Sequence, residues 1–292
     1  MSVWRTLGYY SSNECAANWR NVKTNQKIIL LLCILFYPIL FFGLNGRIEK
    51  KKFGLYSVVL SQNFDDGLGK FIITQGKEKV FESSEFDDHY YFGNHFDDRY
   101  EDEKDLYSGR DITGKGIPNL VISNWTGGAH CCHFLHIFEL GKKLKKLVTV
   151  EAYSSSIRLV DLDKDGKPEI EFWDGSIDYL FASFANSPSG RVVLKFKNNQ
   201  YKVASNLMKK ASLNQIQIKK LKIKLRDSFR KEKSPELPYD FLNSIMDLSY
   251  SGHFDFAMKL ASETWPTDKP GLLDFKNKFT KALYDSLYWK DL

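Results

Sequence analysis

Residues 161–169 read Asp-Leu-Asp-Lys-Asp-Gly-Lys-Pro-Glu. Carboxylates at relative positions 1, 3 and 5 can point into one small loop, and a glycine at position 6 permits the sharp reversal that such a loop needs. A hard cation such as Ca2+ takes six to eight oxygens at about 2.3 to 2.6 Å. Asp161, Asp163, Asp165, the Lys167 carbonyl and Glu169 supply most of them, with water completing the shell. The opening matches an EF-hand, but position 12 is Phe172 rather than a bidentate glutamate, and strand-like rather than helical segments flank the loop. The plainer reading is an Asp-Gly turn with solvated carboxylates. Three like charges this close repel one another unless a cation relieves them, which favours a bound ion.

A second concentration of reactive groups is His130-Cys131-Cys132-His133, with His136 close behind. On an extended strand, His130, Cys132 and His136 would share one face and Cys131 and His133 the other, which splits any single metal site. The C-x2-C spacing of structural zinc sites is missing. Cys131 and Cys132 form a disulfide or redox pair, or else remain two small buried hydrophobes. Acidic pairs at Asp65-Asp66, Asp87-Asp88 and Asp97-Asp98 could include a glycosidase acid and base, but only their separation in space decides that. No nucleophile elbow, phosphate-cradling glycine loop or zinc-protease helix occurs in the chain.

The acidic loop has an earlier copy. Asp111-Ile-Thr113-Gly-Lys115-Gly116-Ile-Pro118-Asn119-Leu120 aligns with Asp161 to Ile170 at an offset of fifty residues, and Asp65-Asp66-Gly67 before Phe71 is a fainter echo. With Thr113 and Lys115 where the later copy has Asp163 and Asp165, the earlier loop is expected to be empty. The D-x-D-x-D-G-x-P-E loop followed by an apolar strand resembles the FG-GAP or VCBS repeats of integrin-alpha-like proteins. The segment from Asp111 through Ser123-Asn-Trp125-Thr-Gly127-Gly128-Ala-His130-Cys131-Cys132 looks like the version common in uncharacterised bacterial proteins. The resemblance covers Asp105 to Asp174. It implies Ca2+ at Asp161, Asp163, Asp165 and Glu169, a β-repeat fold, and an extracytoplasmic setting.

These loops need elements to hold them. From Phe53 to about Ser205 short β-rich runs are broken by Gly, Asp and Asn: Leu55–Leu60, Lys70–Thr74, Leu120–Ser123, Phe134–Leu140, Leu147–Ala152, Ile157–Val160, Ile170–Trp173 and Val192–Phe196. The pattern predicts antiparallel sheet with partial, propeller-like repeats over 53–205. Three repeats are fewer than the four to eight that close a propeller, so the array is either open and covered by helices or belongs to another sheet arrangement. From 212 to 292 the spacing predicts a helical domain. Ser212 and Gln215 form a capping-box pair, and a helix follows unless the partial alternation from Ile216 to Leu225 makes a strand. Helices are expected at Tyr239–Tyr250, Phe254–Thr264 and Leu272–Leu287, with Gly252 and Pro266 as stops.

Upstream, residues 28–44 read IILLLCILFYPILFFGL, seventeen positions without a charge. Such a run is expected to be an uncleaved transmembrane anchor, kinked at Pro38, following a short tail at 1–27. Arg20, Lys23 and Lys27 on one flank nearly balance Arg47, Lys50, Lys51 and Lys52 on the other, so the charge rule does not orient the span. The resemblance therefore carries the expectation of a single-pass cell-membrane protein with its large domain periplasmic or extracellular.

Charge is uneven. Ten acidic and two basic residues lie between Glu82 and Asp105, a cation-attracting loop, whereas Lys and Arg dominate Lys209 to Lys233, where the ordinary reading is the solvated face of a helix. With 42 Lys and Arg against 36 Asp and Glu, 43% hydrophobic residues and 4 Cys, the chain is neither a disordered tail nor a small disulfide scaffold. No nucleic-acid module pattern is present. Together these features suggest a membrane-anchored, non-enzymatic module whose calcium loop stiffens a β-repeat surface for protein or glycan contact. The alternative is an envelope thiol- or metal-dependent enzyme using the His130-Cys131-Cys132-His133 cluster.

Overall fold

The structure is a computed structural model that describes residues 46–63, 67–86, 88–99, 105–128, 130 and 132–289. The expected tail and anchor at 1–44, Cys131 and the Asp65-Asp66 pair lie outside the described residues. No helix among those described is long and apolar enough to cross a membrane. The chain divides into two units, 1–46 and 47–292, and the following concerns the second.

Three four-stranded antiparallel sheets follow one another along the chain. The first comprises β1 (Gly46–Phe53), β2 (Tyr56–Asn63), β3 (Leu68–Gln75) and β4 (Glu78–Phe86). β5 (His89–Phe92), β6 (Asn119–Trp125), β7 (His133–Leu140) and β8 (Leu144–Glu151) form the second. The third holds β9 (Arg158–Val160), β10 (Glu169–Asp174), β11 (Gly190–Lys197) and β12 (Gln200–Val203). Within each sheet, strands adjacent in sequence are adjacent in space. Neither a barrel nor a propeller closes among the described residues.

Side-chain alternation explains the layering. Tyr56, Val58 and Leu60 of β2 and Phe71 and Ile73 of β3 share one core with Leu120, Ile122, Phe138 and Leu140 of the second sheet. The opposite face of that second sheet, through Val121, Leu135, Ile137 and Val150, joins a larger core with Ile170, Phe172, Val192 and Leu194 of the third. β6 is thus packed on both faces, which is why it reads as an apolar run rather than an alternation. Ordinary alternation along β7 sends Leu135 and Ile137 to the larger core and Phe138 and Leu140 to the other, and the register shift between Ile137 and Phe138 leaves Leu147 of β8 as the extra residue.

Helices cover the third sheet: α1 (Ser205–Met208), α2 (Gln215–Lys231), α3 (Tyr239–Tyr250), α4 (Phe254–Thr264) and α5 (Leu272–Asp285). Gly190 sets how closely α3 approaches β11, because a Cβ there would lie only 2.4 Å from two carbons of the Tyr250 ring. Two expectations are corrected. The capping box is Asn214 with Gln217, not Ser212 with Gln215: Gln217 N donates to Asn214 Oδ1 at 2.9 Å and Asn214 N donates to Gln217 Oε1 at 2.8 Å. Residues 216–225 are helical, not a strand, since Ile218, Leu221 and Leu225 line one side of α2 while Lys219, Lys220 and Lys224 stay exposed.

Candidate metal centre

In the later loop the first aspartate organises the backbone. Asp161 accepts from Asp165 N at 3.0 Å and from Gly166 N at 2.9 Å, with Lys164 and Gly166 both in the left-handed region. Lys167 N donates to Asp165 Oδ1, and Leu162 N donates to Glu169 Oε2 at 2.8 Å. Carboxylate oxygens of Asp161, Asp163 and Glu169 all lie within 4.8 Å of one another, close enough to hold one ion. Asp165 and Lys167, the other expected contributors, do not belong to that trio. The Lys167 side chain instead runs over Gly114 of the earlier loop, so the two loops are neighbours.

A cation is already there, and it is covalently part of the chain. Lys195 Nζ, from β11, donates to Asp163 Oδ2 at 2.6 Å and to Asp165 Oδ2 and Glu169 Oε1 at 2.8 Å each. Burial alone would depress this ammonium, but the three hydrogen-bonded carboxylates outweigh it and raise the Lys195 pKa above the ordinary lysine value. The same ammonium holds Asp165 below the usual carboxylate range. The repulsion among the loop's acids is therefore relieved by a neighbouring strand, without requiring a divalent ion.

The earlier loop repeats this arrangement with the charges exchanged. Asp111 accepts from the N–H groups of Thr113, Gly114, Lys115 and Gly116, at 2.6 to 3.2 Å. These bonds overcome the upward push of burial and lower its pKa. Ile112 N donates to Asn119 Oδ1 at 2.9 Å, as Leu162 N does to Glu169. Lys115, aligned with Asp165, donates to Glu139 at 2.6 Å. Glu139 sits opposite Asn119 in the β6–β7 register, and the β10–β11 register carries Lys195 to the matching place opposite Glu169. One loop pairs a lysine with a strand glutamate, and the other pairs aspartates with a strand lysine.

Among the described residues, the cysteine–histidine segment forms no comparable centre. Only His133 and His136 lie on β7; His130 and Cys132 precede it, so the expected strand alternation does not extend across the cluster. His130 bonds the Tyr179 hydroxyl and stacks on Phe184, while His133 stacks on Phe96 and bonds the Ser155 carbonyl. His136 lies between Asn124 Oδ1 and Thr149 Oγ1, and burial pushes its pKa down to about 3. Cys132 is disulfide-bonded, to a partner outside the described residues. Members of the acidic stretch are likewise dispersed. Glu82 pairs with Lys70 and Lys79, Asp97 with Arg99, Asp98 with Arg158, and Asp105 with Lys51.

The pattern missed Lys195, whose partners are set by strand pairing, and it missed Asp174. That carboxylate is fully buried and accepts from Tyr250 OH at 2.5 Å and from Ser286 Oγ, tying β10 to the ends of α3 and α5. Burial raises its pKa despite these donors. No protein-family description, curated protein or solved structure matches this chain.

Proposed function

We propose that the chain is a non-catalytic, membrane-anchored β-repeat module of the FG-GAP or VCBS kind, presenting a stiffened β surface to a protein or glycan outside the cytoplasm. Support comes from the duplicated unit: two adjacent sheets carry the same loop, the same loop-to-strand hydrogen bond and the same cross-strand ion pair in opposite polarity. Such duplication is expected of a repeat scaffold, in which each unit stabilises its neighbour. The disulfide at Cys132 supports an oxidising compartment. Phosphatase fused after Leu292 should be active when expressed in an envelope-competent host, whereas an active cytoplasmic reporter at the same place would overturn the extracytoplasmic reading.

In this reading Ca2+ enters at Asp161, Asp163 and Glu169 only by displacing Lys195. Saturating Ca2+ should leave the wild-type melt nearly unchanged. Lys195→Met removes the internal competitor, and at a hundredfold excess over its dissociation constant Ca2+ should then stabilise the variant by about 2.7 kcal/mol. Equal stabilisation of wild type and variant would make the loop an ordinary calcium site, and none in either would make it purely an ion-paired turn.

A further inference from the structure

Between the segment after β10 and helix α5 lies a cleft of about 500 Å³, lined by Tyr153, Asp178, Tyr179, Leu180, Lys278 and Lys281 among others. That volume falls within the range of small-molecule sites. Its chemistry is unbalanced. Asp178 is half-buried, yet among the described residues its carboxylate has neither a hydrogen-bond nor an ion-pair partner. Neither lysine of the lining bonds Asp178: Lys278 pairs with Asp274 at 3.0 Å, and Lys281 pairs with Asp285, one helical turn on and also part of the lining. Beneath it lies Asp174, a second negative group whose own donors are hydroxyls rather than cations. Ser176 Oγ also lines the cleft; it is shielded from solvent and near Asp174, but makes no well-aligned hydrogen bond.

The walls are built to hold this group in place. A Cβ on Gly175 would collide with the Asp178 carboxylate and lie 3.1 Å from Tyr153 Cγ, so glycine alone lets both pack onto the backbone there. Tyr153 and Tyr179 both have positive φ, at 49° and 61°. Their positions are secured by the neighbouring segment: His133 N donates to the Tyr153 carbonyl at 2.5 Å, and His130 bonds the Tyr179 hydroxyl. An uncompensated carboxylate between aromatic walls is complementary to a positively charged group, through a charge-assisted hydrogen bond and ring–cation attraction.

We propose that this cleft binds a small organic ammonium ion bearing an aromatic or other flat apolar group, with Asp178 as its counter-ion and Tyr153 and Tyr179 as its walls. The proposal is independent of the acidic loop and goes beyond the scaffold reading, which survives its failure. The test is titration calorimetry of the full chain in detergent with three probes of one shape: tyramine, its neutral alcohol tyrosol, and the anion 4-hydroxyphenylacetate. Tyramine should bind one to one and at least about tenfold tighter than tyrosol, the factor expected of a charge-assisted contact, with no binding of the anion. Asp178→Asn should abolish the discrimination between tyramine and tyrosol. Tyr179→Ala, at a largely exposed side chain, should weaken tyramine several-fold without loss of fold. Asp240→Asn on α3 should leave affinity within about twofold, since it changes net charge at a distance. Absence of saturable tyramine binding at millimolar concentration, equal binding of the anion, or unchanged selectivity in Asp178→Asn would each overturn it.

Discussion

Asp178 carries a cost that can be measured without any ligand. Burial and the nearby Asp174 charge push its pKa up from the ordinary 3.8 to about 6. Between those values the folded chain binds more protons than the unfolded chain, so this group makes stability fall as pH rises from about 4 to about 6, and the penalty stays constant above that. A tenfold change in proton affinity corresponds to about 1.4 kcal/mol. Because the group is only half-buried, solvent screening reduces the total to about 1 kcal/mol. Asp178→Asn should therefore stabilise the protein by about that amount at pH 7.5 and leave its stability at pH 3.5 unchanged, by urea unfolding at the two pH values. A variant no more stable than wild type at pH 7.5 would show that the carboxylate is satisfied. The acidic loop was legible in the sequence because Asp161, Asp163, Asp165 and Gly166 fall within six consecutive residues. Lys195 was not, because it reaches the loop through strand pairing across 26 residues, and the Asp178 cleft draws its walls from three separated segments.

Interior strands and the two helices with clear stops could be read at the scale of elements, since each turns one apolar face toward a core. Of the edge strands, β8 and β9 could be read as well, but β1 and β12 could not. β1 reads Gly-Arg-Ile-Glu-Lys-Lys-Lys-Phe and β12 Gln-Tyr-Lys-Val, and both are mostly exposed, with charges that discourage pairing to another chain and hide the strand period. β4 and β5 were concealed within an acidic stretch whose charges are matched partly by near neighbours, Lys79 and Arg99, and partly by Lys70, Arg158 and Lys51 farther along the chain. The seating of α3 on β11 gives a test at this scale. Gly190→Ala drives a methyl into the Tyr250 ring and should destabilise the protein by about 1 to 3 kcal/mol. Tyr250→Phe leaves Asp174 without one of its donors and should cost about 1.5 to 3 kcal/mol. Because both changes act on one ring, their combination should not be additive, and urea unfolding of the four forms measures the coupling. Additive losses would mean that Gly190 matters for its backbone and not for the approach of α3.

At the scale of the whole molecule, the second sheet determines how the described chain unfolds. It shares one core with the first sheet and another with the third sheet and helices, so neither core survives loss of the sheet between them. Two buried phenylalanines probe this from opposite sides. Phe138 meets Phe71 and Phe81 edge-on, at 5.7 and 4.9 Å between ring centroids, in the first core. Phe172 meets Tyr288 at 4.6 Å in the second. Replacing either by alanine removes a fully buried ring and should cost about 3 to 5 kcal/mol. If the second sheet couples the layers, both variants shift one common transition, with far-ultraviolet and near-ultraviolet circular dichroism melting together. Were the first sheet an independent unit, Phe138→Ala would split the melt, with strand signal lost before that of the helices, while Phe172→Ala would move only the later step. The coupled outcome is expected because β6, through Leu120 and Ile122 on one face and Val121 on the other, belongs to both cores at once.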